Sequence, residues 1–281
     1  MSSMVTGTTA TRRIRFVLGL AVAICLVAAP AVAEDDEGWS GEVSASLTAQ
    51  TGTTDSVSGS VDAKAERSWE KDVASIRFSA LYGTTRNRGT PADAPTKDEV
   101  TQNSQGLFGD WKRTIHERFF WDTKSELSRD NIQDRELRGA VNTGPGYRVW
   151  QNDERPKKKH FDLSAGLGYR YELYDGNTNV FNADSTPNNT GDEDHFVDVV
   201  ASFEYKNLLI EDKLEFTHVG TAKMPANAPD QFILSTEVIL GVPITEAWSF
   251  RASFFAEYIN SQPDFINNTT TRTTFGLGYK F

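Results

Sequence analysis

The sequence predicts an all-β protein, a transmembrane antiparallel up-and-down β-barrel of about 12 strands. Three observations support this prediction: an N-terminus suited to export, apolar and polar residues that alternate along most of the chain, and connections that alternate between short turns and long loops. The only long apolar run covers residues 16–33, which excludes a polytopic helical membrane protein. The net charge of −10 argues against a nucleic-acid partner, because phosphates require a basic surface.

Residues 1–33 have the features of a cleaved secretory signal peptide. Three arginines precede an apolar stretch at 16–29, and an Ala-Val-Ala cleavage site occupies 31–33. We therefore expect residues 34–281 to form the exported outer-membrane β-barrel. Cys25, the only cysteine, would be removed with the signal peptide, which leaves no disulfide, thiolate metal site or cysteine nucleophile.

The last predicted strand shows the alternation most clearly. Between residues 272 and 281 the odd positions are Thr, Phe, Leu, Tyr and Phe, whereas the even positions are Arg, Thr, Gly, Gly and Lys. One face thus suits lipid and the other suits water. In strand order, the predicted lipid-facing residues include Val43 and Leu47, Val57 and Val61, Ile76 and Phe78, Leu107 and Trp111, Trp121 and Leu127, Val141 and Tyr147, Leu163 and Tyr169, Val197 and Phe203, Leu214 and Phe216, Leu234 and Leu240, Phe250 and Phe254, and Leu277 and Tyr279.

The lengths of strands and connections favour a membrane barrel over a soluble sandwich. Most predicted strands reach about 10 residues, the length that crosses a bilayer when tilted, whereas soluble strands usually have about 5–6. Short turns are predicted near 70–71, 115–117, 152–158, 208–209 and 244–246, and longer connections near 51–55, 86–99, 129–135, 175–194, 219–230 and 260–271. Outer-membrane barrels have short periplasmic turns and longer external loops, so both termini are predicted to be periplasmic.

The inward face carries acids and bases in similar numbers, which predicts ion pairs across a narrow lumen. Two alternatives follow: a packed polar lumen with little conductance, or a narrow water-filled channel for small solutes. The lumen-facing charges singled out are Arg77, Arg138, Arg148, Arg170, Glu204, Glu237, Arg251 and Glu257. Aromatic residues near strand ends on the outer face suit the membrane–water interfaces; they are Tyr82, Trp111, Trp121, Tyr147, Tyr171, Trp248 and Tyr258.

Two regions of the chain carry a family resemblance. The sequence W-S-G-E-V at 39–43 is followed by T-G-T-T-D-S at 51–56, and the chain closes with Y-K-F at 279–281. These residues resemble the uncharacterised family (a domain of unknown function) of salt-induced outer-membrane proteins, which begin with a W-x-G strand and a turn like S/T-G-N-T-D/S. Thr53 replaces the usual Asn. The resemblance covers nearly all of 38–281 and implies an exported outer-membrane barrel, with no established substrate and no catalytic residues.

The C-terminal residues look like the signal that the barrel-assembly machinery reads. Phe275, Leu277, Tyr279 and Phe281 alternate with small or polar residues and end in an aromatic side chain. We therefore expect two partners, the lipid bilayer of the outer membrane and the assembly machinery during insertion.

No enzyme, cofactor or metal site is predicted, because the sequence contains no HExxH, GxSxG or phosphate-binding loop. One alternative is a hydrolase at the external rim, where His195 follows three acids at 192–194 and would activate water. His218 is predicted on the outer face near the same rim, without a hydroxyl on its same-face neighbours. The acidic loop 184–194 offers carboxylates to Ca²⁺ but fits no EF-hand spacing. A second alternative is a soluble periplasmic β-protein that binds a ligand.

Overall fold

A computed structural model describes residues 38–50, 54–87, 98–132, 135–152, 159–174, 193–210, 213–260 and 268–281. The predicted signal peptide, residues 1–33, lies outside the described residues. The twelve strands are β1 (Trp39–Gln50), β2 (Thr54–Ser68), β3 (Asp72–Asn87), β4 (Asp98–His116), β5 (Phe119–Asp130), β6 (Arg135–Gln151), β7 (His160–Tyr174), β8 (Glu193–Leu209), β9 (Leu214–Pro225), β10 (Ile233–Pro243), β11 (Trp248–Ile259) and β12 (Thr269–Lys280).

The strands form one closed antiparallel barrel, which confirms the predicted fold class. Each strand pairs with its neighbours in the chain, and β12 returns to pair with β1. Closure matters because a free strand edge cannot satisfy its backbone polar groups inside a bilayer. In the described part of the chain, no helix is long and apolar enough to cross a membrane.

The two ends of the barrel differ. One end, called the turn end, carries the start of β1, the end of β12 and the connections after β2, β4, β6, β8 and β10; the opposite end is called the loop end. The predicted loop from residue 219 is wrong, because β9 continues to Pro225. Ala222 and Met224 face outward there while Thr221 and Lys223 face the lumen, so the strand alternation persists through residues too small or polar to signal it.

The exposure of the two wall faces is the reverse of that in a soluble protein. Predicted lipid-facing residues such as Leu127, Val141 and Leu167 are exposed on the outside, whereas charged residues are buried inside. Arg170 is 2% exposed and Asp198 is 0% exposed. An apolar outer wall around a polar interior is the arrangement that a lipid environment requires.

Gly41 and Phe281 close the barrel at the turn end. The Gly41 N–H donates to the Phe281 carbonyl at 2.9 Å, and the Phe281 N–H donates to the Gly41 carbonyl at 3.0 Å. A Cβ atom on residue 41 would collide with the Phe281 ring. The two motifs that carry the family resemblance, W-x-G and the terminal phenylalanine, therefore meet in space and form one structural feature.

Candidate functional site: the charged lumen

The eight charges singled out in the sequence all face the lumen, and each forms an ion pair there. The pairs are Arg77–Glu237 at 3.5 Å, Arg138–Glu172 at 2.6 Å, Arg138–Glu257 at 4.0 Å, Arg148–Asp162 at 2.8 Å, Arg170–Asp198 at 3.0 Å, Lys112–Glu204 at 3.2 Å and Arg251–Glu42 at 2.7 Å. Acids and bases therefore pair inside the lumen, as their similar numbers on the inward face predict.

A buried network occupies the loop end of β6, β7 and β8. Arg170 Nε donates to Asp198 Oδ2 at 3.0 Å, and its Nη1 donates to Glu172 Oε1 at 2.9 Å. Arg138 Nε donates to the same Glu172 oxygen at 2.6 Å. The Arg170 guanidinium also stacks 4.0 Å from the centre of the Phe196 ring. Each buried charge in this network thus forms a hydrogen bond with an opposite charge. Such pairing is what allows charged side chains to be buried away from water.

A second cluster lies at the turn end, where β4, β6, β7 and β8 face each other. His160, Asp162 and Glu204 place their ligand atoms within 4.8 Å of one another, a spacing that a metal ion could bridge. The Lys112 ammonium already lies 3.0 Å from Asp162 Oδ2 and 3.2 Å from Glu204 Oε2. A cation of the protein itself therefore neutralises these carboxylates.

Several ion pairs connect opposite walls of the barrel. Arg77 on β3 reaches Glu237 on β10, and Arg138 on β6 reaches Glu257 on β11; each pair joins strands five positions apart around the barrel. Lys223 on β9 contacts Glu126 on β5 at 3.5 Å, four positions apart. In a ring of twelve strands these contacts span nearly the full diameter of the lumen, so they reduce its open cross-section.

The lumen is filled unevenly. All of its buried charged residues lie on β5 to β8; they are, among the described residues, Asp122, Arg135, Arg138, His160, Asp162, Arg170, Glu172 and Asp198. We call the part of the lumen along these strands the dense half. Its cavity beside Asp122, Ser164 and Ser202 has a volume of about 30 Å³, which is large enough to hold water.

The opposite wall, formed by β12, β1, β2 and β3, is called the open half. Its lumen-facing residues include Ser44, Ser46, Ser58, Ser60 and Ser79, and none of them is buried. The serine side chains are short and reach little of the lumen. Charged side chains such as Lys64 and Arg77 share this wall and are 41% and 38% exposed.

Aromatic side chains inside the lumen were not singled out from the sequence. Phe108, Phe120 and Phe196 all face inward, beneath cations: Arg77 lies 4.8 Å from the Phe108 ring centre and Lys112 lies 4.8 Å from that of Phe120. The alternation of each strand places these phenylalanines on the inward face. They were overlooked because apolar residues are expected on the outer face. Ring faces of this kind attract desolvated cations.

The histidine candidates lie on the outer wall. The Tyr169 hydroxyl is 2.6 Å from His195 Nδ1, and the Tyr171 ring centre is 5.2 Å from that of His195. His218 Nε2 is 2.9 Å from Thr236 Oγ1. The predicted rim position of His218 is wrong, because β9 extends seven residues beyond it. The acidic loop falls outside the described residues up to residue 192.

Phe275, Leu277 and Tyr279 are exposed on the outer face of β12, and Phe281, directly after the strand, is exposed as well. The Tyr279 ring packs against Trp248, with 5.1 Å between ring centres. The structure thus places all four on one apolar strip that faces the surroundings.

A closed barrel with an apolar outer wall and charges inside defines the fold of membrane β-barrels. The family model described as "Protein of unknown function, DUF481" matches residues 43–281, so the chain belongs to that family. Among curated proteins, none matches the chain significantly.

Solved structures with a similar fold include the translocator domain of the autotransporter NalP from Neisseria meningitidis, with a TM-score of 0.50 and 13% identity over 98% of this chain and 97% of that one. The COG4313 outer membrane channel from Pseudomonas putida F1 gives a TM-score of 0.44 and 14% identity over 90% and 98% of the two chains. The NanC porin gives 0.42 and 9% over 87% and 99%. At this identity the NalP likeness shows the fold of an outer-membrane barrel and nothing more.

Proposed function

We propose that residues 34–281, after export and removal of the signal peptide, form an outer-membrane barrel that acts without catalysis as a narrow passage for small polar solutes. The uneven lumen supports this proposal: the buried charged residues that the structure describes lie in the dense half, whereas the serines that line the open half are not buried. The turn end then lies in the periplasm and the loop end faces outside.

Location in the outer membrane is tested first. The protein is expected in the outer-membrane fraction, and unheated samples are expected to migrate faster on SDS gels than boiled ones, because a closed barrel resists SDS. A soluble periplasmic protein with a single mobility would contradict this location and support the alternative of a soluble ligand-binding protein.

Conductance tests the passage. Arg77 and Glu237 join opposite walls beside the open half, at 3.5 Å. Replacing both with serine is expected to raise the single-channel conductance at least about twofold, because the change removes two long side chains that meet across the lumen. The measurement is planar-bilayer recording of refolded protein.

The matched control is the double variant Lys64→Ser with Glu66→Ser. Lys64 Nζ and Glu66 Oε2 are also close, 2.7 Å apart, but both residues lie on β2, so this ion pair does not cross the lumen. The conductance of this double variant is expected to change less than that of the Arg77/Glu237 variant, because both side chains stand on one wall. If neither the wild type nor the Arg77/Glu237 variant shows single-channel current steps, the proposed passage is wrong.

The cross-lumen ion pairs favour a second candidate, a structural component of the stressed envelope with a closed lumen. Contacts such as Arg138–Glu257 and Lys223–Glu126 would then serve to stiffen the barrel. Wild-type protein that is heat-modifiable but never conducts would support this candidate over the passage.

A further inference from the structure

Three ion pairs join the open half to the strands β9, β10 and β11. In each pair one member lies on β12, β1 or β3 and the other on β9, β11 or β10. The pairs are Lys280–Glu215 at 2.9 Å, Arg251–Glu42 at 2.7 Å and Arg77–Glu237 at 3.5 Å. Opposite charges therefore face each other where the open half meets the rest of the wall.

These ion pairs are more exposed than those of the dense half. The side chains of Arg77 and Glu237 are 38% and 24% exposed, whereas those of Arg170 and Asp198 are 3% and 0% exposed. Ion pairs within reach of solvent contribute about 0–1 kcal/mol, so their partners separate at little cost. A charged group on a solute can therefore replace either partner. The buried pairs do not permit this exchange, because a charge left there would have no counterion.

The Arg77–Glu237 pair is the best suited of the three to such an exchange. Its 3.5 Å separation exceeds the length of about 2.7–2.9 Å that is typical of charge-assisted hydrogen bonds. The Arg77 guanidinium lies 4.8 Å from the centre of the Phe108 ring, and Phe108 is its register partner on β4. A guanidinium stacked on an aromatic ring can still donate from its edge to a carboxylate.

Glu237 supplies the complementary charge on the opposite wall. Arg77 on β3 and Glu237 on β10 are five positions apart around the barrel, so a solute between them meets a base on one side and an acid on the other. A solute with a single charge compensates one of these residues and leaves the other without a counterion. A compact zwitterion compensates both, which is the electrostatic complementarity that gives specificity.

From these observations we infer that the passage selects small zwitterionic solutes, molecules with one carboxylate and one ammonium group such as free amino acids. The carboxylate binds Arg77 and the ammonium group binds Glu237, in place of the ion pair between them. Two further pairs offer the same charges nearer the turn end; they are Lys280–Glu215 and Arg251–Glu42. The inference rests on the proposed passage and names the class of solute that it takes.

Solute flux into vesicles tests the inference with two isomers, glycine, which is a zwitterion, and glycolamide, which is uncharged. With the refolded wild type, glycine is expected to enter at least about threefold faster than glycolamide after subtraction of the rates in protein-free vesicles, because weak binding in a passage favours entry and still allows release. Equal rates would overturn the selection of zwitterions. Faster entry of glycolate or ethanolammonium, which carry one charge each, would overturn it as well.

Two double variants test the role of the ion pair. Arg77→Gln with Glu237→Gln keeps long side chains without their charges, and the two isomers are expected to enter at equal rates. Arg77→Glu with Glu237→Arg exchanges the charges and is expected to retain the preference for glycine, since the solute can bind in the reverse orientation. Heat-modifiability on SDS gels checks that each variant is folded. A preference for glycine that persists in the glutamine variant would show that these two residues do not select the solute.

Glycolamide distinguishes failure of the inference from failure of the passage. If glycolamide enters through the protein and glycine has no advantage, the passage stands and the selection of zwitterions is wrong. If the protein is heat-modifiable but neither isomer enters faster than in protein-free vesicles, both the passage and the inference are wrong.

Discussion

Arg170→Leu is expected to lower the free energy of unfolding by about 3–5 kcal/mol, because it leaves a buried carboxylate without its counterion. Asp198 is 0% exposed, and Arg170 is the cation that it contacts, through two nitrogen atoms at 3.0 and 3.4 Å. Glu172 is affected less, since Arg138 continues to donate to it. The same change removes the guanidinium from the face of Phe196.

Urea unfolding of the refolded protein in lipid vesicles measures this loss. The matched control is Lys64→Leu, which breaks an ion pair whose side chains are 41% and 30% exposed; such pairs contribute about 0–1 kcal/mol. The double variant Arg170→Leu with Asp198→Leu should recover most of the loss, because it leaves no unpaired charge. A loss below about 1 kcal/mol for Arg170→Leu would show that water reaches the network, contrary to its burial.

Deletion of Phe281 is expected to lower the equilibrium constant for folding at least about tenfold, which corresponds to about 1.4 kcal/mol. The deletion removes both backbone bonds to Gly41 from the pairing of β1 with β12, which has only five further register pairs. It also removes the ring that covers Gly41. The measurement is the heat-modifiable fraction after refolding into pure lipid vesicles.

Refolding without the assembly machinery separates closure of the barrel from recognition of the C-terminal signal. Gly41→Pro removes the donor of one of the two bonds, the Gly41 N–H, and places a Cβ atom against the Phe281 ring, so it should also impair folding. Phe281→Leu retains the backbone bonds and should fold in vesicles close to the wild-type level. Normal refolding of the deletion variant in vesicles, with a defect only in cells, would assign Phe281 to recognition alone.

The outer wall could be predicted from the sequence because lipid imposes one demand on every strand. An apolar residue at each second position satisfies it, and residues such as Leu127 and Leu167 follow the pattern without exception. The prediction failed where the pattern weakens: Gly220 and Ala222 on β9 face outward but carry little apolar surface. Between Arg148 and Trp150 a register shift changes the alternation, so that Val149 and Trp150 are both exposed.

The interior was predictable as a set of charges and not as a set of contacts. The alternation shows that Arg77 and Glu237 face inward, but their meeting depends on the tilt and stagger of twelve strands around the barrel. No local feature of β3 or β10 carries that information. The extent of the β1–β12 pairing is equally hidden, because β1 keeps the same alternating pattern beyond Ser46, the last of its residues with a register partner on β12.

The uneven filling of the lumen also has a mechanical consequence. The dense half is cross-braced by short contacts between charged side chains, such as Arg138–Glu172, and resists compression. The ion pairs of the open half, such as Arg77–Glu237, are more exposed, so lateral pressure from the bilayer will deform this half first. Changes in membrane thickness or tension should then flatten the barrel along one axis, and the compliant wall should yield while the stiff wall keeps its shape.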